Sequence, residues 1–307
     1  MGIQHRFWLY LVGVASLAAS SVTVMSVAKV ALAQAAPQVS QAQNAALAET
    51  ALNRGLGMIQ QGAIGPATAA FQEAIELDPN SAAAHYNLGL VQRQTGQLQE
   101  AATSFWNALE ADPQFAMAYS NLGAALWEGG NLEQAQDYLE RAIELQPDLG
   151  NAYYNLGLVQ LDQQNYDAAI ASLQTAESYT PNAPEPSFHQ GRIHLRQENF
   201  AGAIAAFDRA IAIFPQYVEA YYNRGVAQYG QGDYSASLDS FRKATEFNPG
   251  YANAYYSAGL SFIRLGNYAE AQGILEHAKS LYLTQENPQW AANTQAQLDR
   301  VAELSGQ

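Results

Sequence analysis

The 307-residue sequence contains no cysteine, which excludes disulfides, thiolate metal sites, a cysteine nucleophile and a lipidated cysteine anchor. Basic residues are also few: 14 Lys and Arg stand against 28 Asp and Glu, a formal net charge of −14. Because this charge repels phosphate backbones, nucleic acid is not expected as a partner. The sequence also lacks a Gly-rich phosphate loop and a His/Asp set at metal-ligand spacing. We therefore expect no cofactor, no metal and no enzymatic activity.

Acidic residues are missing from the first 33 positions, where His5 and Arg6 precede an apolar stretch from Phe7 to Ala19. This arrangement is typical of a secretory signal, and the sequence ALA at 31–33 offers the small residues of a cleavage site. The alternative is an uncleaved anchor over 7–28, which is long enough to span a bilayer. Either interpretation predicts an extracytoplasmic protein, located in the periplasm or cell envelope.

Proline is scarce, yet six of the 11 prolines recur at intervals of 34 residues. They are Pro79, Pro113, Pro147, Pro181, Pro215 and Pro249. The heptapeptide YNLGLVQ follows the same spacing, since its copies at 86–92 and 154–160 are two such intervals apart. When each proline is set to position 32 of a unit, glycine occupies position 8 of every unit. These glycines are Gly55, Gly89, Gly123, Gly157, Gly191, Gly225 and Gly259.

This period and these residue types resemble the tetratricopeptide repeat over residues 48–285. The resemblance implies an all-α fold: a right-handed superhelical solenoid of seven helix-turn-helix repeats, followed by a C-terminal capping helix. The expected divisions are a signal peptide or membrane anchor at 1–33, a leader into the first helix at 34–47, repeats at 48–81, 82–115, 116–149, 150–183, 184–217, 218–251 and 252–285, and the capping helix at 286–307.

Physical reasons support the pattern. A glycine in a helix interior costs about 1 kcal/mol relative to alanine, so the position-8 glycines predict a close approach of the second helix. Glycine at position 15 and Asn or Asp at position 16 favour a left-handed helix end followed by the cap of the next helix.

In proteins of this family the first helix of each repeat lines the inner, concave wall. Asparagine recurs at position 6 on the face opposite the packing stripe, at Asn53, Asn87, Asn121, Asn155 and Asn223. An amide offers two donors and an acceptor, so such a row can pair with successive peptide groups of an extended chain. The row is similar to the asparagine ladder in the repeat arm of O-GlcNAc transferase.

Apolar residues accompany these amides and predict an exposed binding strip. They include Leu90, Leu158 and Val226 at position 9, and Tyr86, Tyr154 and Tyr222 at position 5. The alternative is that Asn-Leu-Gly is only part of the consensus sequence of such repeats and that the leucines and tyrosines pack on neighbouring units.

The fifth unit departs from the row, with His189, Arg192 and Arg196 on one helix face. This cluster suits a ligand carboxylate. The alternative is neutralisation by acids on adjoining positions, namely Asp162, Glu185 or Glu219. The carboxylate clamp of chaperone-binding family members is not supported, because its basic and amide positions hold aromatics and leucines here.

The leading hypothesis is an exported, non-enzymatic interaction module that binds an extended peptide or disordered segment along its concave groove and assists assembly of a cell-envelope complex. One alternative is a structural scaffold that clasps folded partners through its convex face and ends. Another is an accessory arm of a separate transferase or export machine. The expected partner is a protein or peptide, with membrane contact only through an uncleaved N-terminal segment; the oligomeric state stays open.

Overall fold

A computed structural model describes residues 41–306, and the expected signal or anchor at 1–33 lies outside them. The described residues from 45 onward form one compact unit. Fifteen helices and no strand occur in the described residues. They are α1 (Gln41–Gln60), α2 (Ile64–Leu77), α3 (Ala82–Gln94), α4 (Leu98–Ala111), α5 (Ala116–Glu128), α6 (Leu132–Leu145), α7 (Gly150–Asp162), α8 (Tyr166–Tyr179), α9 (Glu185–Arg196), α10 (Phe200–Ile213), α11 (Val218–Gln231), α12 (Tyr234–Phe247), α13 (Ala252–Leu265), α14 (Tyr268–Thr284) and α15 (Pro288–Ser305).

The helices pack in consecutive pairs, each a first and a second helix, and each pair stacks on the next. The expectation of an all-α solenoid of helix pairs closed by a final helix is confirmed. The core is a row of small clusters between neighbouring helices, because a single pair cannot bury its own apolar face. No helix in the described part of the chain has both the length and the apolar character that a membrane span requires.

The position-8 glycines lie where the two helices of a repeat approach most closely. A Cβ atom added to Gly89 would lie 2.7 Å from Cε1 of Phe105, and one added to Gly123 would lie 2.6 Å from Cγ of Leu139. Because the opposing side chains are fully buried in the core, they have no room to withdraw. The predicted reason for these glycines is therefore confirmed.

The turn inside each repeat requires a left-handed residue at position 15. Five glycines supply it, at Gly62, Gly96, Gly130, Gly232 and Gly266. The fourth and fifth repeats place Gln164 and Glu198 there, with φ of 64° and 56°. The backbone of these two residues adopts a conformation that L-residues rarely take, because the turn geometry of the array imposes it.

The caps that follow these turns agree only in part with the sequence expectation. The side chains of Asn131, Asn199 and Asp233 accept hydrogen bonds from backbone N–H groups of the helices that they begin. Asn165 and Asn267 stand at the same position without such a bond. For Asn165 the side-chain amide instead donates to Oε1 of Gln163, at 3.3 Å.

The final helix α15 lies within the segment predicted as the capping helix, with Asn287 as cap and Pro288 as its first residue. The Asn287 side chain accepts from the backbone N–H of Trp290, at 3.3 Å. Val301 is buried against the last repeat, with Leu298 packed beside it. The helix thereby covers the apolar face that the last repeat would otherwise expose.

Candidate functional site

The first helices form the inner wall of the array. Successive first helices contact one another directly, in the pairs α3/α5, α5/α7, α7/α9, α9/α11 and α11/α13. Second helices of the described residues have no contacts of comparable extent between neighbouring repeats. Because elements on the inside of a curved stack lie closer together than those on the outside, the face predicted to bind ligand is the concave one.

Asn121 is fully engaged within the protein. Its Oδ1 accepts from Nη1 of Arg93 at 3.1 Å, and its Nδ2 donates to the Tyr86 hydroxyl at 3.2 Å and to the Met117 carbonyl at 3.0 Å. Arg93 also pairs with Glu128, with Nη2 2.7 Å from Oε1. An amide can donate two hydrogens, and both are used here. Asn121 therefore joins the second and third repeats and has no donor left for a ligand.

The other side-chain amides of the row form fewer hydrogen bonds within the protein than Asn121 does. Nδ2 of Asn87 donates to the Ala83 carbonyl at 2.8 Å, and Nδ2 of Asn223 donates to the Glu219 carbonyl at 2.7 Å. Each retains its carbonyl oxygen and one N–H. Asn155 is half-buried and Asn53 exposed, and neither forms a side-chain hydrogen bond with another described residue.

The tyrosines at position 5 are half-buried packing residues. The Tyr86 ring lies 5.8 Å from the Phe105 ring and 4.8 Å from the Phe115 ring, between centroids. Tyr222 is held in the same way, 5.9 Å from Phe241 and 5.1 Å from Tyr251. Burial raises the pKa of the Tyr86 and Tyr154 hydroxyls, so both stay protonated donors at neutral pH.

The apolar strip expected at position 9 is interrupted. Leu158 is only 6% exposed, so the expectation of a contiguous exposed strip is wrong at this residue. Leu90 and Val226 are half-buried. The close spacing of successive first helices is the physical reason, since it covers part of each position-9 side chain.

His189 is a neutral packing residue. Its ring lies 5.8 Å from the Tyr154 ring and 5.5 Å from the Phe188 ring. Burial, reinforced by the nearby Arg192 guanidinium and opposed by Asp162, lowers the pKa of His189 to about 4. It therefore carries no positive charge at neutral pH and cannot supply one to a ligand.

Arg192 and Arg196 differ from His189. Arg192 lies within 3.4 Å of Nδ1 of His189 and has its guanidinium 6.0 Å from the Phe188 ring centroid. Arg196 is exposed. Within residues 41–306, neither arginine forms an ion pair, so the predicted neutralisation by Asp162, Glu185 or Glu219 does not occur through direct contact.

Two features of this wall were missed by the sequence reasoning. Trp127 donates from Nε1 to Oδ2 of Asp162 in the next repeat, at 2.7 Å. Aromatic residues at position 34, including Phe115, Tyr217 and Tyr251, cover the aromatic side chains at position 5. Their recurrence at the 34-residue interval was a signal available in the sequence.

Comparison with known families identifies the family to which this architecture belongs. A sequence profile described as Tetratricopeptide repeat matches residues 93–149, 121–185, 154–218, 188–252 and 222–278, and one described as TPR repeat matches 58–95. These stretches cover more than half of the chain. The chain belongs to the tetratricopeptide repeat family. The search of curated proteins found no sequence match to this chain.

Solved structures share the fold of this tetratricopeptide repeat protein at low sequence identity. PilW, described as a widely conserved type IV pilus biogenesis factor, aligns with a TM-score of 0.62 and 17% identity, over 66% of this chain and 94% of PilW. Pseudomonas aeruginosa PilF aligns with 0.61 and 22%, over 69% and 96%. YrrB, described as a TPR protein with an unusual peptide-binding site, aligns with 0.54 and 24%, over 62% and 99%.

Proposed function

We propose that this tetratricopeptide repeat protein is a non-enzymatic module that binds an extended polypeptide segment along its inner wall. The observation that carries the proposal is the set of amides with spare hydrogen-bonding capacity on alternate repeats: Asn87, Asn155 and Asn223. Such amides can pair with peptide groups whatever the side chains of the ligand are. Tyr86, Tyr154, Tyr222, Leu90 and Val226 flank them as the apolar part of the groove.

We further propose that the protein is exported and assists assembly of a complex in the cell envelope. The N-terminal segment 1–33 supports export, as does the fold shared with PilF and with PilW, whose description refers to type IV pilus biogenesis. N-terminal sequencing of the exported protein tests this part. A first residue at Gln34 is the expected result, and recovery of the unprocessed chain in the membrane fraction would support the anchor instead.

Peptide binding is tested with the full chain and an array of random peptides of about twelve residues, acetylated and C-terminally amidated. Such peptides extend to about 40 Å. We expect the wild type to retain a subset, and the triple change Asn87→Ala, Asn155→Ala, Asn223→Ala to weaken retention by about a hundredfold, since each of the three lost hydrogen bonds contributes about 1 kcal/mol. Asn121→Ala, which removes an amide already engaged within the protein, serves as the matched control and should leave retention close to that of the wild type. Unchanged retention by the triple variant contradicts groove binding.

A second candidate, docking of a folded partner on the outer face, is favoured by one observation. Trp106 on the second helix α4 is 47% exposed and meets the Tyr138 ring of the next repeat edge-on, with centroids 6.4 Å apart. An exposed tryptophan supported by a half-buried tyrosine suits an interface anchor. Trp106→Ala should abolish capture of such a partner from an envelope extract and leave peptide retention unchanged, whereas loss of peptide retention would argue against an outer-face role.

A further inference from the structure

Two arginines of the fifth repeat stand out because they lie one turn apart on one helix and neither has a carboxylate partner, whereas seven of the twelve Lys and Arg residues in the described chain have one. Acidic residues outnumber basic ones two to one, and Arg54, Arg93, Arg209 and Arg224 each reach a carboxylate of another helix. Arg192 and Arg196 make no such pair in the part of the chain that the structure describes. Two like charges one turn apart on a helix repel each other, so leaving both unpaired is unfavourable unless an anion joins them.

The neighbouring acids do not fill that role. Asp162 is taken by the Trp127 indole, with Nε1 2.7 Å from Oδ2. The charges of Glu185 and Glu219 help to raise the pKa of the Tyr217 hydroxyl, and the charge of Arg192 opposes them, without a direct ion pair between these groups. The Arg192 guanidinium therefore lies near acids that do not neutralise it through contact, and the Arg196 side chain is exposed one turn further along the same helix.

We infer that Arg192 and Arg196 bind the side-chain carboxylate of an internal Asp or Glu residue in the extended segment, an inference that rests on the proposed function. Guanidinium groups bind carboxylates through paired N–H donors, which suits two arginines on one helix face. The carboxylate is internal because spare amides occur on both sides of it, Asn155 in the fourth repeat and Asn223 in the sixth. A segment ending at the fifth repeat would leave half of these amides unused.

This subsite also accounts for the break in the asparagine row at the fifth repeat. His189 is packed between aromatic rings and offers no free amide, so the backbone of the ligand loses one contact there. Amide contacts alone would let an extended chain slide by one residue pair, since every peptide group is alike. A charge contact in the middle of the wall fixes the register and selects acidic segments over basic ones.

The same peptide array tests the inference. The wild type should enrich amidated peptides that contain an internal Asp or Glu, and the double change Arg192→Glu, Arg196→Glu should reduce their retention by about tenfold while favouring Lys- or Arg-containing peptides. Arg192→Lys with Arg196→Lys should preserve part of the acidic preference. Arg141→Glu with Arg300→Glu, at exposed positions of α6 and α15, is the matched charge change and should leave the preference unaltered. Far-ultraviolet circular dichroism verifies that each variant keeps its helical content.

The outcomes separate this inference from the proposed function. If the wild type retains no peptide, groove binding itself fails. If retention depends on Asn87, Asn155 and Asn223 but shows no acidic preference, or if the charge-reversed variant keeps that preference, only the carboxylate subsite is overturned. Repeating the array with free C-termini gives the last distinction: an acidic preference that appears only there overturns an internal carboxylate.

Discussion

Arg209 and Glu177 join the fourth and fifth repeats, with Nε of the arginine 2.9 Å from Oε1 of the glutamate. Ser187 and Gln190 also donate to this carboxylate, at 2.8 and 2.9 Å, and both are almost fully buried. The third and fourth repeats place tyrosine and leucine at these two positions, for example Tyr153 and Leu156 in the fourth. Leu156 packs with Ile143 of the third repeat, whereas the corresponding place in the fifth repeat holds this buried polar network.

The network predicts a pH-dependent contribution of Glu177 to stability. Partial burial raises the pKa of this carboxyl, but the hydrogen bonds from Gln190 and Ser187 and the charge of Arg209 outweigh it, so the net pKa lies below the ordinary 4.5. A depressed folded pKa gives stability that is present above the unfolded pKa and lost as pH falls through the folded one. Glu177→Gln should lower the free energy of unfolding by about 1 kcal/mol at pH 7.

Urea unfolding at pH 7 and at pH 3 measures this contribution, since the difference between wild type and Glu177→Gln should shrink below pH 4.5. Glu76→Gln on the exposed side of α2 is the control and should change little at either pH. A difference that stays constant with pH would show that the carboxylate charge has no part in the junction.

Gly89→Ala tests the close approach inside a repeat. The new Cβ would lie 2.7 Å from Phe105, so we expect a loss of about 1–3 kcal/mol in the free energy of unfolding. Gly273→Ala in α14 is the matched control, because no atom lies within 4 Å of its added Cβ. There the gain in helix propensity should stabilise by about 0.5–1 kcal/mol. Equal effects in the two variants would contradict the packing explanation.

Gln164→Gly tests the strain of the left-handed turn. Gln164 has φ of 64°, where other repeats use glycine, so the substitution should stabilise by about 0.5–1 kcal/mol in thermal unfolding. The reverse change, Gly232→Ala at φ of 89°, should destabilise by about 1 kcal/mol. Destabilisation by Gln164→Gly would mean that the side chain contributes more than the backbone conformation costs.

Asn121→Ala tests the difference between a structural and a ligand-binding amide. Because Asn121 bridges Arg93 and Tyr86, its loss should lower the free energy of unfolding by about 1 kcal/mol and leave peptide retention by the array close to wild type. Asn155→Ala should leave the free energy of unfolding close to that of the wild type and should weaken peptide retention, because Asn155 has no hydrogen-bond partner among the described residues. Loss of retention in Asn121→Ala without loss of stability would reverse the two assignments.

How much of this was predictable follows from what repeats and what does not. The prolines and position-8 glycines predicted the helix pairs, their turns and their close approach, because packing constraints recur with the period. The amides were predicted to share one face, but the engagement of Asn121 was not, because it depends on Arg93 reaching across from the previous repeat. The burial of Leu158 agrees with the alternative that the leucines pack on neighbouring units. The sequence did not decide between the two interpretations, because contacts between units are set by their spacing, which one helix alone does not reveal.

The closing helix α15 has a consequence for how such a chain can change its length. It buries Val301 against the last repeat and turns Gln289, Asp299, Arg300 and Glu303 to solvent. A helix pair added beyond it would find a polar surface in place of a stacking face. Duplication of an internal 34-residue unit, in contrast, keeps both ends intact, so the reach of the groove can evolve in whole steps that alter neither terminus.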